Sequence, residues 1–359
     1  MNTLKYMDIV EWATGQISSG AFKVNDKFFS ETELGNKFNC SRQTVRRALE
    51  VLEQNGLITR SQGSGTFVSQ NKAYQPRQQT IKKDRTPTIG FINTYMDNYI
   101  FPGIIKGIEH VLTAEGYAME LISTDNMISG EARSLEFMLS RQLEGFIVEP
   151  TRSALPCANL SLYNKINQLG IPLVFIDSFY PELSNPYVAL DDEKAGYEAA
   201  MYLLSMGHRK ISAIFPHSHR QGHLRYLGYV KAHSEYGIPI NDELVCWHSR
   251  ANMNEILNSR QYFEQLLKST AVLCYNDTTA LGIIDLLHQN GRSVPEDLSI
   301  VGIDNSEIAR ISSLTSVARP TEELGAAAAS LLISMINGSE GHNILFPPEL
   351  VKRSSVRQI

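Results

Sequence analysis

At 359 residues the chain is longer than one ordinary domain, and a typical length of about 150 residues per domain suggests two or three. Its 43% apolar and 20% charged residues are typical of a globular protein and exclude a fibrous or disordered chain. No apolar run reaches the roughly 20 residues that a membrane span needs, and the start lacks a signal-peptide pattern. Four scattered cysteines without a CxxC pair favour reduced thiols, so we expect a cytoplasmic protein without a membrane partner.

The net charge of −5 is unevenly distributed along the chain. Residues 1–70 carry 8 Lys/Arg against 7 Asp/Glu, and residues 71–87 carry five basic residues against Asp84 alone, which leaves −10 for residues 88–359. The front of the chain therefore attracts polyanions, whereas the larger remainder repels them. A solvated linker at 71–87 would show the same basic composition.

Three helices are predicted near the start of the chain. Residues 4–17 carry apolar side chains on one face of a helix. Ser30 and Glu33 form a capping box at the start of a second helix. Ser41 is a good N-cap for a third helix, which Gly56 ends. The tight turn between the second and third helices predicts a helix-turn-helix.

The exposed face of the third helix carries Arg42, Gln43 and Arg46. Arginine and glutamine can each make two hydrogen bonds to the edge of a base in the major groove, so these residues indicate a DNA recognition helix. Residues 57–60 and 66–68 are β-prone and flank a glycine-containing tip, which predicts a hairpin directly after the helix. A hairpin in this place is a wing.

Four motifs in residues 1–70 resemble the winged helix-turn-helix of the GntR family of bacterial repressors: Ser30-Glu31-x-Glu33-Leu34, Ser41-Arg42-x-Thr44-Val45-Arg46-x-Ala48-Leu49, Gly56-Leu57-Ile58 and Gln62-Gly63-x-Gly65-Thr66-Phe67-Val68. The resemblance implies a homodimer that reads a palindromic operator. Phe29 stands where the family usually has proline.

The expected DNA interface follows from these motifs. Arg42, Gln43 and Arg46 contact bases, and a second group contacts phosphates or the minor groove: Thr44, Arg47, Gln62 and Gly63. Ser41 belongs to the interface as the cap of the recognition helix. Glu31 either accepts a hydrogen bond from a cytosine amine or serves only as a helix cap.

Residues 71–87 lack periodicity and read as a flexible basic linker. From residue 88 short apolar runs alternate with helical segments such as 101–114 and 132–139. Strands are predicted at 89–92, 119–122, 146–148, 173–176, 211–215, 272–274 and 298–301. This alternation predicts an α/β fold with parallel sheets flanked by helices, and its length over 88–359 predicts two lobes.

Polar residues follow these apolar runs, where ligands bind in parallel sheets. They are Asn93, Asp97, Asp125, Asn126, Glu149, Asp177, Asn276, Asp277, Asp304 and Asn305. Carboxylates, amides and aromatic rings suit a neutral polyhydroxylated ligand, because each hydroxyl needs donors and acceptors. Aspartate and asparagine after strands are also common helix N-caps, which is the alternative for individual positions.

Residues 88–359 resemble the effector domain of the LacI/GalR repressors. The matching motifs are Gly207-His208-Arg209-Lys210-Ile211, Arg225-x-x-Gly228-Tyr229, Asn276-Asp277-x-x-Ala280-x-Gly282 and Val294-Pro295-Glu296-Asp297-Leu298 through Asp304. The resemblance implies sugar-contacting roles for Asp177, Arg225, Asn276 and Asp304, with Phe101 as a wall and Trp247 near a family aromatic residue. Tyr99 stands where the family commonly has proline. The complete expected ligand set is Tyr99, Phe101, Glu149, Asp177, Arg225, Trp247, Asn276, Asp277 and Asp304.

A GntR-type head on a LacI-type body is the architecture of the arabinose-utilisation repressors of Gram-positive bacteria. The segments 97–109, 147–155, 189–192 and 273–277 resemble that family closely. The resemblance implies L-arabinose or a related monosaccharide as the effector, no cofactor, and a repressor that the sugar releases from DNA.

Two other chemistries compete with this interpretation. His217, His219 and His223 form the best candidate metal site, but no matching carboxylate is identifiable and a solvated loop beside a helix start is the favoured explanation. Paired carboxylates also serve as acid and base in a sugar-processing enzyme. A binding cleft needs the same carboxylates, so we expect a repressor without catalytic or metal-ligating residues.

Overall fold

The computed structural model describes residues 5–18, 21–23, 25–54, 56–61, 65–69 and 86–359. The chain divides into two compact units, residues 1–85 and 86–359. The described part of the first unit contains three helices and one antiparallel hairpin: α1 (Lys5–Ser18), α2 (Glu31–Phe38), α3 (Arg42–Gln54), β1 (Ile58–Ser61) and β2 (Gly65–Val68). Most of the linker predicted at 71–87 lies outside the described residues.

The first unit is built around the apolar side of α3. Val45, Ala48, Leu49 and Leu52 are buried against α1 and α2 at the helical spacing predicted from the sequence. The predicted capping box is present: the backbone N–H of Ser30 donates to Glu33 Oε2 at 2.8 Å, and Ser30 Oγ accepts from the Glu33 backbone. The hairpin predicted after α3 is present, with residue 58 paired to residue 68 and residue 61 to residue 65.

Phe29 contributes to an aromatic cluster in this unit. Its ring centroid lies 5.4 Å from that of Trp12 and 5.8 Å from that of Phe22, and the Lys37 ammonium lies 4.1 Å from the Trp12 ring. Aromatic pairs at these distances stabilise beyond their buried area. Phenylalanine therefore fixes the entry into α2 by packing, where the related family usually has proline.

The second unit contains ten α-helices and twelve strands. In chain order they are β3 (Thr88–Asn93), α4 (Phe101–Ala114), β4 (Ala118–Ser123), α5 (Ile128–Leu139), β5 (Gly145–Val148), α6 (Leu160–Gln168), β6 (Leu173–Ile176), β7 (Tyr187–Leu190), α7 (Asp192–Ser205), β8 (Ile211–Pro216), α8 (Arg220–Glu235), β9 (Val245–His248), α9 (Met253–Leu257), α10 (Arg260–Leu266), β10 (Ala271–Cys274), α11 (Asp277–Gln289), β11 (Ser299–Asp304), α12 (Glu307–Ile311), β12 (Thr315–Ala318), α13 (Thr321–Ile336), β13 (Ile344–Phe346) and β14 (Glu349–Val351).

The twelve strands form two six-stranded sheets, one in each of two lobes. Lobe 1 has the strand order β13-β7-β6-β5-β3-β4, and all of its pairs are parallel. Lobe 2 has the order β14-β12-β11-β10-β8-β9, with β14 antiparallel to β12. Helices α4, α5, α6 and α13 cover lobe 1, whereas α7 to α12 cover lobe 2. The predicted α/β architecture is confirmed.

Helices cover both faces of each sheet. Since successive side chains of a strand point to opposite faces, both sets of side chains are buried. In β3, for example, Phe91 packs with α4 and α13, while Ile92 packs with α5 and α6. Fully apolar strands in a parallel sheet follow from this double coverage. No helix of the described residues is long and apolar enough to cross a membrane.

The chain passes between the lobes three times: between β7 and α7, between β12 and α13, and between β13 and β14. Helices α7 and α8 of lobe 2 pack closely at two glycines, Gly196 in α7 and Gly228 in α8. A Cβ on Gly196 would collide with the backbone carbonyl of Arg225, and one on Gly228 would collide with that of Glu193. The two glycines therefore set the position of α8, which carries Arg225.

Candidate functional site

The exposed side of α3 carries the side chains predicted to contact DNA. Arg42, Gln43, Arg46 and Arg47 are exposed, and Thr44 is half-buried. Ser41 caps the helix, because its Oγ accepts a hydrogen bond from the Thr44 backbone N–H at 3.2 Å. The remaining side of the helix is buried, so these polar groups share one accessible face.

Two members of this set make contacts within the unit. Arg46 Nε lies 3.1 Å from Glu31 Oε1, so the carboxylate at the start of α2 holds the guanidinium of the recognition helix. Arg47 stacks over the ring of Tyr6 in α1, with its guanidinium carbon 4.8 Å from the ring centroid. Gln62 and Gly63 lie outside the described residues.

A cleft with a volume of about 490 Å³ lies between the two lobes of the second unit. Its walls come from the carboxyl ends of the strands, as parallel sheets generally place their ligand sites. Six of the nine side chains predicted to contact ligand line it: Tyr99, Glu149, Asp177, Arg225, Asn276 and Asp304. Asp177 and Asp304 have left-handed backbones, with φ of 65° and 115°, a strained conformation that clusters at functional sites.

Arg319 connects the carboxylates of this cleft. It is 6% exposed and lies in the second passage between the lobes. One of its terminal nitrogens donates to Asp177 Oδ1, and its Nε lies 3.0 Å from Asp304 Oδ1. Tyr99 of lobe 1 in turn donates its hydroxyl to Asp304 Oδ2. Arg319 therefore bridges a carboxylate of each lobe.

Arg225 is held beside this network by its own partners. Its Nε donates to Asp192 Oδ1 at 2.8 Å, and it also donates to the backbone carbonyl of Tyr275. The guanidinium carbon lies 4.5 Å from the Tyr275 ring centroid, a cation–π contact. The side chain is fully buried, so its position is fixed by these contacts.

Glu149 is the most perturbed acid of the cleft. Burial, followed by the nearby Asp177 charge, raises its pKa from 4.5 to about 8. Its Oε2 accepts a hydrogen bond from the Thr94 backbone at 2.6 Å. At neutral pH Glu149 is therefore mostly protonated and can donate a hydrogen bond into the cleft.

Several buried polar atoms of the cleft lack a hydrogen-bond partner among the described residues. Five of the nine such atoms belong to side chains that line it: Gln221 Oε1, Arg225 Nη2, His248 Nε2, Asp304 Oδ1 and Arg319 Nε. The arginine and aspartate atoms of this group still make ion-pair contacts, without hydrogen-bond geometry. Gln221 Oε1 and His248 Nε2 have neither kind of contact with the described residues, and since buried polar groups are normally paired, these two atoms point to a polar ligand.

Three predicted ligand residues do not line the cleft. Phe101, the first residue of α4, is fully buried in the core of lobe 1 and is not a wall. Trp247 lies on edge strand β9 and packs on Phe215 and Tyr226, whereas the next residue, His248, faces the cleft. Asp277 is buried and supports the loop after β11.

The three bonds of Asp277 show this supporting role. Its carboxylate accepts from the Ser306 backbone at 2.7 Å, from the Ser306 hydroxyl at 2.8 Å and from the Ser316 hydroxyl at 2.6 Å. Burial, followed by the Asp304 charge, raises its pKa to about 6. The neighbouring Asn276 lines the cleft and also caps α11 by accepting from the Thr279 backbone. The helix-cap alternative therefore describes part of its role.

The three histidines considered as a metal site do not converge. His219 lines the cleft, and burial lowers its pKa to about 4. His223 instead contacts the backbone carbonyl of His217 and packs on Trp247. No group of three metal-ligating side chains occurs in the described parts of the chain.

Sequence reasoning missed Arg319, Gln221, His248 and Tyr275 as cleft residues. Arg319 follows strand β12, so the rule that ligands lie after parallel strands applies to it as well. That strand reads Thr-Ser-Val-Ala and lacks an apolar run, and it was not among the predicted strands.

Comparison with known proteins assigns a class to both units. Residues 5–68 match the gntR family of bacterial regulatory proteins, and residues 176–356 match the periplasmic binding protein-like domain. A LacI family transcriptional regulator from Enterococcus faecium, solved with bound ribose, is 28% identical with a TM-score of 0.64, over 76% of this chain and 99% of that one. The class is a transcription regulator with a helix-turn-helix head and a LacI-like effector domain.

Two curated relatives are similar over nearly their whole length. The arabinose metabolism transcriptional repressor of Geobacillus stearothermophilus is 38% identical over 99% of this chain and 98% of its own. The arabinose metabolism transcriptional repressor of Halalkalibacterium halodurans is 35% identical over 99% of this chain and 97% of its own. The chain belongs to the family of arabinose metabolism transcriptional repressors. It is thus a regulator and not an enzyme, and both family resemblances inferred from the sequence are confirmed.

Proposed function

We propose that the chain binds a palindromic operator as a homodimer in the cytoplasm, and that L-arabinose in the cleft releases it from DNA. The proposed organisation is a DNA-binding domain at 1–70, a basic linker at 71–87 and a sugar-binding and dimerisation domain at 88–359. The observation that carries the proposal is the set of carboxylate, guanidinium and amide groups that line the cleft between the lobes.

The chemistry of the cleft favours a neutral sugar over a charged effector. Two guanidiniums form ion pairs with the buried aspartates Asp177, Asp192 and Asp304, and Glu149 is mostly protonated at neutral pH. Sugar hydroxyls both donate and accept, which matches the mixture of amide, guanidinium and carboxylate groups that Gln221, Arg225 and Asp304 bring to the cleft. The bound ribose of the E. faecium regulator supports a pentose, and the two repressors' names support arabinose.

Sugar binding is coupled to operator binding through the arrangement of the two lobes. Tyr99 and Asp177 belong to lobe 1, whereas Arg225 and Asp304 belong to lobe 2, so a sugar contacting them joins the lobes. A ligand that binds one lobe arrangement more tightly shifts the population toward it. In a dimer that shift changes the spacing of the two operator-reading heads. The expected coupling is about 1–3 kcal/mol, or roughly 5–150-fold in operator affinity.

The test is an operator titration with full-length protein at fixed salt, with and without saturating L-arabinose. A fall in operator affinity within that range supports induction, and an unchanged affinity refutes it. A calorimetric panel of pentoses and hexoses identifies the ligand, and sedimentation of the protein–operator complex determines whether two chains bind.

The roles on α3 are tested separately. Arg42→Ala is expected to reduce the preference for operator over random DNA, since a bidentate base contact contributes about 1–3 kcal/mol of discrimination. Equal losses on both DNAs would instead make Arg42 a phosphate contact. Glu31→Gln releases Arg46 from its carboxylate partner, so a specificity change in this variant would show that the ion pair positions Arg46.

A further inference from the structure

The cleft is larger than a pentose. A pentose has ten non-hydrogen atoms, and even at the roughly 30 Å³ that each water molecule occupies in the liquid these fill at most about 300 Å³. The cleft measures about 490 Å³. About 190 Å³ or more is therefore left beside a bound monosaccharide.

The additional space runs along α11. Thr278, Leu281, Gly282 and Asp285 all line the cleft, and their spacing of three and four residues places them on one face of the helix. From first to last they span about 10 Å at 1.5 Å per residue. Counted from Asn276 at the strand end, the cleft extends about two and a half helical turns to Asp285.

Helix α9 forms the opposite side of this extension through Met253 and Leu257. Leu257 packs directly on Gly282, since a Cβ there would lie 2.7 Å from Leu257 Cδ1. We call the space bounded by Met253, Leu257, Leu281 and Gly282 the outer chamber.

The outer chamber differs chemically from the rest of the cleft. Its side chains, Met253, Leu257 and Leu281, are apolar and half-buried, and the polar residues Asn254, Thr278 and Asp285 line the cleft around them. The ion pairs of Arg225 and Arg319 lie at the strand ends instead. Methionine is flexible and adapts to differently shaped partners. Sugar hydroxyls placed against these three apolar side chains would lose water without gaining hydrogen bonds from them.

We propose that the cleft accepts a pentoside: a pentose at the strand ends whose O-linked apolar group of about six or more non-hydrogen atoms fills the outer chamber. This inference rests on the proposed sugar-binding function and specifies its ligand class. The pentose hydroxyls pair with the polar groups of Gln221, Arg225 and Asp304, and the apolar group contacts Met253, Leu257 and Leu281.

The test is calorimetric titration of the full-length protein with L-arabinose, the methyl and 4-nitrophenyl L-arabinopyranosides of both anomers, and an arabinose disaccharide. One 4-nitrophenyl anomer is expected to bind about tenfold or more tightly than its methyl counterpart, because its ring buries additional apolar area. Leu281→Trp fills the outer chamber and is expected to abolish this gain. Leu227→Trp, at an exposed position of α8 outside the cleft, is the matched control and keeps the gain.

The outcomes separate this inference from the proposed function. If L-arabinose binds and no 4-nitrophenyl pentoside gains over its methyl counterpart, the pentoside inference is wrong and the sugar function stands. A disaccharide that binds more tightly than the aryl pentosides overturns the apolar assignment. If only the aryl pentoside binds, L-arabinose is the wrong inducer and the apolar role of the outer chamber is supported. If none of these sugars binds, both the proposed sugar function and the pentoside inference are refuted. Met253→Trp replaces Leu281→Trp if the latter misfolds, with circular dichroism as the check.

Discussion

The protonation of Glu149 makes the stability of the protein depend on pH in a predictable direction. Its carboxyl has a pKa of about 8 in the folded chain against 4.5 in an exposed setting. Between these values the folded state binds more protons than the unfolded state at this site, so its contribution to stability falls as pH rises. It is fully retained below about pH 4.5 and is lost by about pH 8.

The size of the effect follows from the two pKa values. Each pH unit of difference corresponds to about 1.4 kcal/mol, so the loss by pH 8 is on the order of a few kcal/mol. Glu149→Gln removes the ionisation while keeping an oxygen that accepts from the Thr94 backbone. The variant is therefore expected to be less sensitive to alkaline pH than the wild type, by up to that amount.

Urea unfolding from pH 5 to pH 8, followed by far-ultraviolet circular dichroism, measures the difference between the two proteins. Glu349→Gln, at an exposed position, is the control for removing one carboxyl. Parallel pH profiles for wild type and Glu149→Gln would refute the reasoning. Because glutamine also donates a hydrogen bond, sugar affinity at pH 7 is expected to change little in this variant.

Three further predictions concern packing and charge. Arg319→Met leaves Asp177 and Asp304 buried without their shared cation, so urea unfolding is expected to show a loss of about 3–5 kcal/mol. Gly196→Ala forces the backbone of Arg225 to move, which is expected to cost about 1–3 kcal/mol and to weaken sugar binding measured by calorimetry. Ser30→Ala removes the cap of α2 and is expected to destabilise the first unit by about 1 kcal/mol, measured by the fluorescence of Trp12 during unfolding.

The sequence predicted the elements that have strong apolar periodicity and failed where that pattern is weak. Strand β6 was predicted with the same bounds as in the structure, because Leu-Val-Phe-Ile is apolar on both faces of a central strand. Strand β12 contains threonine and serine, whose hydroxyls bond within the protein, so its composition conceals it and with it Arg319.

The cleft residues show a similar limit. Glu149, Asp177 and Asp304 were identified because each directly follows or ends a recognisable strand. Trp247 and His248 are adjacent on an edge strand, and a displacement of one residue exchanges the side chain that faces the cleft. No local pattern specifies that register. It depends on the pairing of β9 with β8, which is a contact between distant segments.

The three passages of the chain between the lobes have a consequence for synthesis. Lobe 1 needs α13 and β13, which are translated only after the whole sheet-forming part of lobe 2 up to β12. At roughly 5–20 residues per second, the ribosome needs roughly 7–26 s for the intervening stretch of about 130 residues. During that interval the apolar face of α4 that α13 later covers and the edge of β7 that later pairs with β13 stay open on the nascent chain. Lobe 1, which begins first, is thus completed late. The Arg319 bridge between the lobes forms just as α13, the last helix of lobe 1, is made.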